Sequence, residues 1–282
     1  MIRFGPSGNS QSLYDQGYKS SVQMPGWLKV LGLNAYEYQC SKGVNIGEAT
    51  ARQIGVEAAK NDISLSIHAP YYINMSSEEQ EKRENSKRYI IESMTAASWM
   101  GAKRVVIHTG SCSKVSREWA LQTAIQVLGE AIREADDMGL GDIIICPEVL
   151  GKINQLGSLE EIIEMCKIDE RLIPTVDFGH HHARGMGCLN TVEDFDSVLN
   201  QIENGLGYER LKHLHVHFSR IEFTKGGEKK HWTYDDIRFG PSFEPLAELI
   251  CKKQLEPVII CESMDSMAED ALKMKHIYES LV

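Results

Sequence analysis

Seven cysteines (Cys40, Cys112, Cys146, Cys166, Cys188, Cys251 and Cys261) occur without a single CxxC pair, and their number is odd. That excludes a closed disulfide framework and a thiolate zinc site, and it reads as the reduced thiols of a cytoplasmic protein. No apolar run nears the ~20 residues that a membrane helix needs, and the opening MIRFGPSGNS has no signal-peptide h-region, so no membrane partner is expected. G-x-S-x-G, P-loop and G-x-G-x-x-G motifs are all missing, which removes the nucleophile-elbow and common nucleotide-binding readings. Positive charge is also short, with 30 Lys+Arg against 40 Asp+Glu and a net charge of −10. Taken alone, this disfavours a nucleic-acid binder and fits an acidic enzyme with a small-molecule substrate. Several bound dications would invert that sign locally.

What is present is a repeated pattern. At 282 residues, with 42% hydrophobic and 25% charged residues, the chain has the size and composition of one (β/α)₈ domain. Six apolar runs each end on a residue able to ligate a metal: Ser64–His68, Arg104–His108, Ile143–Glu148, Ile173–Asp177, Leu211–His217 and Val258–Glu262. A strand that is hydrophobic in its body and polar at its C-terminal tip suits a barrel, because the body packs inside and the tip faces the active-site end. With Ile2–Gly5 and Ala35–Tyr38 the strand count reaches eight, each followed by a segment of helical spacing. The expectation is a single α/β TIM barrel over 1–282 with its site at the C-terminal strand ends. The Gly-rich stretch Lys225–Lys230 is expected to be a βα loop of the kind that carries function in barrels.

His68 and His108 end consecutive strands, so their rings can reach one Zn²⁺, Mn²⁺ or Fe²⁺. Glu148 ends the next strand, and one carboxylate can bridge two ions through its two oxygens. Asp177 and His180 form a D-x-x-H pair at a strand-to-loop turn. His181 and His182 follow at once, so the ligand within that run is open; spacing favours His180, with the others exposed or orienting ligands. His213, His215 and His217 share one side of a strand by its period of two, and His217 lies nearest the tip. The two before it are expected deeper, as layer-filling or orienting groups. Glu262 ends the last strand opposite Glu148.

The ordered set His68, His108, Glu148, Asp177-x-x-His180, His217, His231 and Glu262 resembles endonuclease IV, the zinc-dependent apurinic/apyrimidinic endonucleases of family 2. The resemblance spans the chain; its most specific parts are VVIHTGS (105–111), near the family's H-P-G-S, and DFGH (177–180), near its D-T-C-H. It implies a barrel holding three zinc ions, with Mn²⁺ a possible substitute, that cleaves double-stranded DNA 5′ of an abasic site through metal-activated hydroxide. By the same resemblance His68 and His108 hold the first zinc, and Glu148, the catalytic bridge, links it to a second completed by Asp177, His217 and Glu262. His180 and His231 hold the third. Tyr71 and Tyr72 match the position from which the family enters DNA, where a side chain can fill the gap left by a flipped-out sugar. A monomer is expected.

Three departures mark a divergent member. The family's aspartate two residues before the loop histidine is Lys229, so Glu228 or Glu222 is the candidate carboxylate of the third site. The family's H-L-N-D is here His217-Phe218-Ser219-Arg220, and the proline of H-P-G-S is Thr109. The competing reading is a xylose-isomerase-like, metal-dependent sugar isomerase or epimerase. It shares the barrel and explains the acidic charge, but it leaves His180 and His231 idle.

Overall fold

A computed structural model describes residues 1–282. In chain order the strands are β1 (Arg3–Pro6), β2 (Ala35–Gln39), β3 (Ser64–His68), β4 (Arg104–Ile107), β5 (Ile144–Pro147), β6 (Thr175–Asp177), β7 (His215–Phe218), β8 (Arg220–Thr224), β9 (Gly227–Trp232) and β10 (Val258–Cys261). Parallel ladders run β1-β10-β7-β6 and β2-β3-β4-β5. Parallel bridges Ser7–Glu37 and Glu148–Thr175 join the two ladders, which closes eight strands into the TIM barrel that the run-end pattern predicts. Bodies such as Val105–Ile107 of β4 and Ile144–Pro147 of β5 are apolar because both faces of a barrel strand are covered.

Helices cover the outside. Gln80–Met100 buries Ile90, Ile91, Met94 and Ala97, and Arg117–Asp137 buries Ala124, Val127, Leu128 and Ala131. One cluster of 68 buried hydrophobic residues runs from Phe4 to Met274, linking strands to helices around the barrel. No helix is long and apolar enough to cross a membrane.

Between β1 and β2, Gly17 at φ 88° ends a short helix, Gln11–Asp15, and a second helix follows at Met24–Leu31 with Pro25 in its first turn. Three local readings of the sequence need correction. Leu211 lies in a short helix, Tyr208–Lys212, so β7 begins only at His215 and His213 sits at that helix's C-cap instead of inside the barrel. The DFGH turn opens a helix, Phe178–Arg184. Lys225–Lys230 is no plain loop, because β8 and β9 form an antiparallel hairpin inserted between β7 and the helix Glu244–Lys252.

Candidate metal centre

The strand tips converge. His68 Nε2 and His108 Nε2 each lie 3.2 Å from Glu148 Oε2, and their rings meet edge to face with centroids 5.1 Å apart. On the other side of the same carboxylate, Glu148 Oε1 lies 3.2 Å from His217 Nδ1, which is 3.4 Å from Glu262 Oε1. Asp177 completes this second group, so ligating atoms of Glu148, Asp177, His217 and Glu262 all fall within 4.8 Å of one another. Glu148 is therefore shared between two clusters and is itself fully buried.

A third cluster shares Asp177 and Glu262 with the second and adds His180 and His231. Asp177 caps the helix Phe178–Arg184, its Oδ1 accepting the His180 backbone N–H at 2.7 Å. That cap fixes where His180 leaves the backbone. His180 Nδ1 faces the Val149 carbonyl at 3.0 Å, and His231 Nδ1 faces Ser219 Oγ at 2.7 Å. With both Nδ1 atoms engaged, the two Nε2 atoms face each other at 3.3 Å. Two imidazole nitrogens aimed at one another need a proton or a metal ion between them.

The hairpin solves the Lys229 departure. Its register is Ile221–His231 and Glu222–Lys230, then Phe223–Glu228, so Lys229 is an extra residue in β9. This bulge puts Glu228 on the same inward face as His231, although three positions separate them and strict alternation would place them on opposite faces. Glu228 Oε2 lies 3.4 Å from His180 Nε2, and its Oε1 lies 3.9 Å from His231 Nε2. Glu222 is on the other face, paired to Lys229 and accepting from Trp232 Nε1, and it takes no part in the cluster. Gly151 makes room for this arrangement: a Cβ there would stand 2.6 Å from the Glu228 Cβ and 3.0 Å from His180 Cδ2.

Electrostatics mark the same groups. Burial works against charge on His68, yet the hydrogen bond and charge of Glu148 push its pKa up to about 9. His217 and His180 are likewise raised well above the ordinary histidine range, against burial, by the carboxylates around them. Burial raises Asp177 to about 6. Its Oδ2 is buried without any hydrogen-bond partner, an orphaned oxygen that a cation would satisfy. The donors are imidazole nitrogen and carboxylate oxygen with no thiolate, a set that suits Zn²⁺, Mn²⁺ or Fe²⁺.

All eight candidate ligands thus meet at one end of the barrel, and Glu228 joins them. His68, His108, Glu148, His180, Glu228, His231 and Glu262 line a cavity of about 390 Å³ together with Gln39, Ser41, Tyr71, Lys152 and Gln155, while Asp177 and His217 are buried. Tyr71 and Tyr72 stand at its edge, 47% and 50% exposed, with ring centroids 4.5 Å apart. Thr109 donates to the Leu156 carbonyl and ties the His108 loop to the loop after β5. His182 is neither exposed nor near the ligands: it is buried against Phe223, accepts the Leu189 N–H at 3.1 Å, and is held down at about pKa 4 by burial. His215 does lie deep in the barrel, held down at about 4 by burial.

Sequence reasoning missed Glu37. This fully buried carboxylate of β2 meets His215 Nε2 at 2.8 Å, and His217 Nε2 faces it at 2.9 Å, off the line of an ideal hydrogen bond. The available signal was a charged residue in the body of a barrel strand, AYEYQ, where an aliphatic side chain is the norm.

Residues 26–278 match the model of the xylose isomerase-like TIM barrel family. An uncharacterized protein of Methanocaldococcus jannaschii is 31% identical over 281 residues, covering 100% of this chain and 98% of that protein. The probable endonuclease 4 of Bacillus subtilis is 27% identical over 241 residues, covering 83% of this chain and 75% of that enzyme. Among solved structures, a D-tagatose 3-epimerase-like protein superposes with a TM-score of 0.71 at 19% identity, covering 99% of this chain and 97% of that one. Endonuclease IV from Thermus thermophilus superposes with a TM-score of 0.68 at 18% identity, covering 99% of this chain and 98% of that one. At those identities the superpositions speak for the fold alone. The chain belongs to the xylose isomerase-like TIM barrel family, within which it is a divergent relative of endonuclease IV.

Proposed function

We propose that the protein is a metal-dependent phosphodiesterase that incises double-stranded DNA on the 5′ side of abasic sites. The observation that carries this reading is the His180–His231 pair, which forms a third ligating cluster with Asp177 and Glu262 and has Glu228 beside it, in addition to the two clusters that share Glu148. One divalent ion needs only the Glu148, Asp177, His217 and Glu262 set; hydrolysis of a phosphodiester gains from further cations that hold both the attacking and the leaving oxygens.

The residues fit such ions, with His68, His108 and Glu148 for one, Glu148, Asp177, His217 and Glu262 for a second, and His180, His231 and Glu228 for a third. When bound, divalent ions such as zinc supply Lewis acidity toward water and phosphate oxygens. The chain's own part is positional. Glu148 presents one oxygen to each neighbouring cluster and fixes their separation. The Val149 carbonyl and Ser219 hydroxyl hold the third pair of imidazoles by their Nδ1 atoms, so each Nε2 faces the cleft. Burial of Asp177, His217 and Glu148 keeps water from competing at the floor of the site. Lys152 offers a cation at the cleft wall, and the exposed Tyr71–Tyr72 pair offers aromatic faces that could occupy the gap of a displaced nucleotide. The acidic net charge is offset where it matters if three dications occupy the cleft.

The second reading is a sugar isomerase or epimerase using the Glu148, Asp177, His217 and Glu262 set alone, favoured by the completeness of that set and by the negative net charge. A duplex oligonucleotide with one abasic site separates the two. Chelator-sensitive incision 5′ of the lesion, with close to three zinc ions per chain in the same sample, supports the phosphodiesterase. One exchangeable Mn²⁺ or Mg²⁺ per chain with no incision supports the sugar enzyme.

A further inference from the structure

We propose that Glu37 is a positioning residue that sets the nitrogen through which His217 ligates and, through two further side chains, the orientation of Glu262. The proposal rests on the metal-centre reading and is independent of the substrate. Every neighbour of this carboxylate is a group able to donate: His215 Nε2 at 2.8 Å, Ser66 Oγ at 2.9 Å, Gln39 Nε2 at 3.4 Å and, off the ideal line, His217 Nε2 at 2.9 Å. Below His215, the Arg104 guanidinium lies 3.5 Å from its Nδ1 and is anchored on the His213 and Leu214 carbonyls at 2.7 and 3.1 Å.

Donor and acceptor roles then follow in one direction. Arg104 has only protons to offer, so His215 Nδ1 is the acceptor and His215 Nε2 carries the proton that it donates to Glu37. An ionised Glu37 has only lone pairs, so the neutral His217 that ligates a metal keeps its one proton on Nε2. Its Nδ1, directed at Glu148 and Glu262, then has the lone pair that a metal requires. A second branch runs from Glu37 through the Gln39 amide to Ser7 Oγ at 2.6 Å, and Ser7 donates to Glu262 Oε1 at 3.1 Å. A carboxylate in the barrel body thereby holds two ligands on two other strands.

Glu37→Gln changes the size of the group little and reverses the logic. Its NH₂ must face either His215 Nε2 or His217 Nε2, and neither can accept without moving its proton to Nδ1. For His217 that blocks the ligating atom; for His215 it opposes Arg104. Glu37→Asp keeps the charge but withdraws the oxygens by one methylene. The experiment loads wild type, E37Q and E37D with Zn²⁺, dialyses them, counts zinc per chain, and measures affinity by competition with a chromogenic chelator. Chelated samples are melted in parallel to report folding without metal, and Co²⁺-loaded samples are compared by visible absorption. E37Q is expected to lose one zinc per chain on dialysis, to bind that ion about 10–100-fold more weakly, and to show an altered Co²⁺ spectrum while the chelated protein still melts cooperatively. E37D is expected to lose less than E37Q; should E37Q not fold, E37D alone decides. Wild-type zinc content, affinity and spectrum in whichever variant folds overturn the positioning role and leave the phosphodiesterase reading standing. Normal zinc binding by the wild type without abasic incision does the reverse.

Discussion

The candidate metal centre is assembled on two kinds of scaffold. His68, Glu148, His217 and Glu262 sit within one residue of the ends of strands laddered into the barrel, where neighbouring backbones fix each side chain. His180, His231 and Glu228 come instead from a seven-residue helix and an inserted hairpin, held by a cap, a bulge and a few loop contacts such as Glu228 N–H to the Gly151 carbonyl at 3.1 Å. Barrel-borne ligands are placed by the fold as a whole; hairpin-borne ligands depend on single local features. The first part should resist all but direct loss of a ligand. The second should be removable by changes that touch no ligand at all.

The largest expected effect is on the shared carboxylate. Glu148→Gln should lower zinc content and cut abasic-site incision below about a thousandth of the wild-type rate, a barrier increase of roughly 4 kcal/mol. Full activity with full metal content in single-turnover assays would break the idea that the two clusters meet through Glu148. Next come two substitutions confined to the hairpin side. Glu228→Gln should release one zinc per chain and slow incision, whereas Glu222→Gln should leave metal content unchanged; equal behaviour of the pair would contradict the bulged register. Gly151→Ala should act like Glu228→Gln without removing a ligand, because its Cβ drives into Glu228 and His180, at a stability cost of about 1–3 kcal/mol. If this variant keeps three ions, the hairpin is more tolerant than the comparison claims.

A smaller effect concerns the chelated protein. His68 has its pKa raised to about 9 in the fold, above its unfolded value of about 6.5. The stabilisation from this pairing is complete below the unfolded value and is lost as pH rises through the folded one. Melting temperature of the chelated protein should therefore fall between about pH 6.5 and 9, and the zinc-loaded protein should not follow, since a bound ion replaces the proton. Parallel pH courses in both states would remove the link between these imidazoles and metal. The smallest effect lies at the rim: Tyr71→Ala and Tyr72→Ala, both at exposed positions, should change stability by no more than about 0.5 kcal/mol. Their mark should be weaker binding to abasic duplex than to intact duplex of the same sequence, measured by competition.

The same division explains what could be read from the sequence. Six apolar runs ending in ligand-type tips, among eight strand-like runs that alternate with helical segments, announce the barrel because a closed parallel sheet buries strand bodies and exposes their C-terminal ends. His68, His108, Glu148, Asp177, His217 and Glu262 follow directly from where the runs stop. The hairpin was hidden because KGGEKKHW has neither alternating apolar residues nor β-branched ones, and its bulge depends on contacts with the loop after β5. His213 was misplaced because Tyr208–Lys212 continues into β7 without a breaker. Glu37 stood in plain view as a charge in a strand, but its meaning requires three partners, Ser66, His215 and His217, on two other strands.

Three overlapping clusters at one barrel end should hold three ions. Elemental analysis of zinc-loaded, dialysed protein beside the His231→Ala variant tests this most directly. Close to three zinc ions per chain are expected for the wild type and close to two for His231→Ala. One ion in both proteins would contradict it.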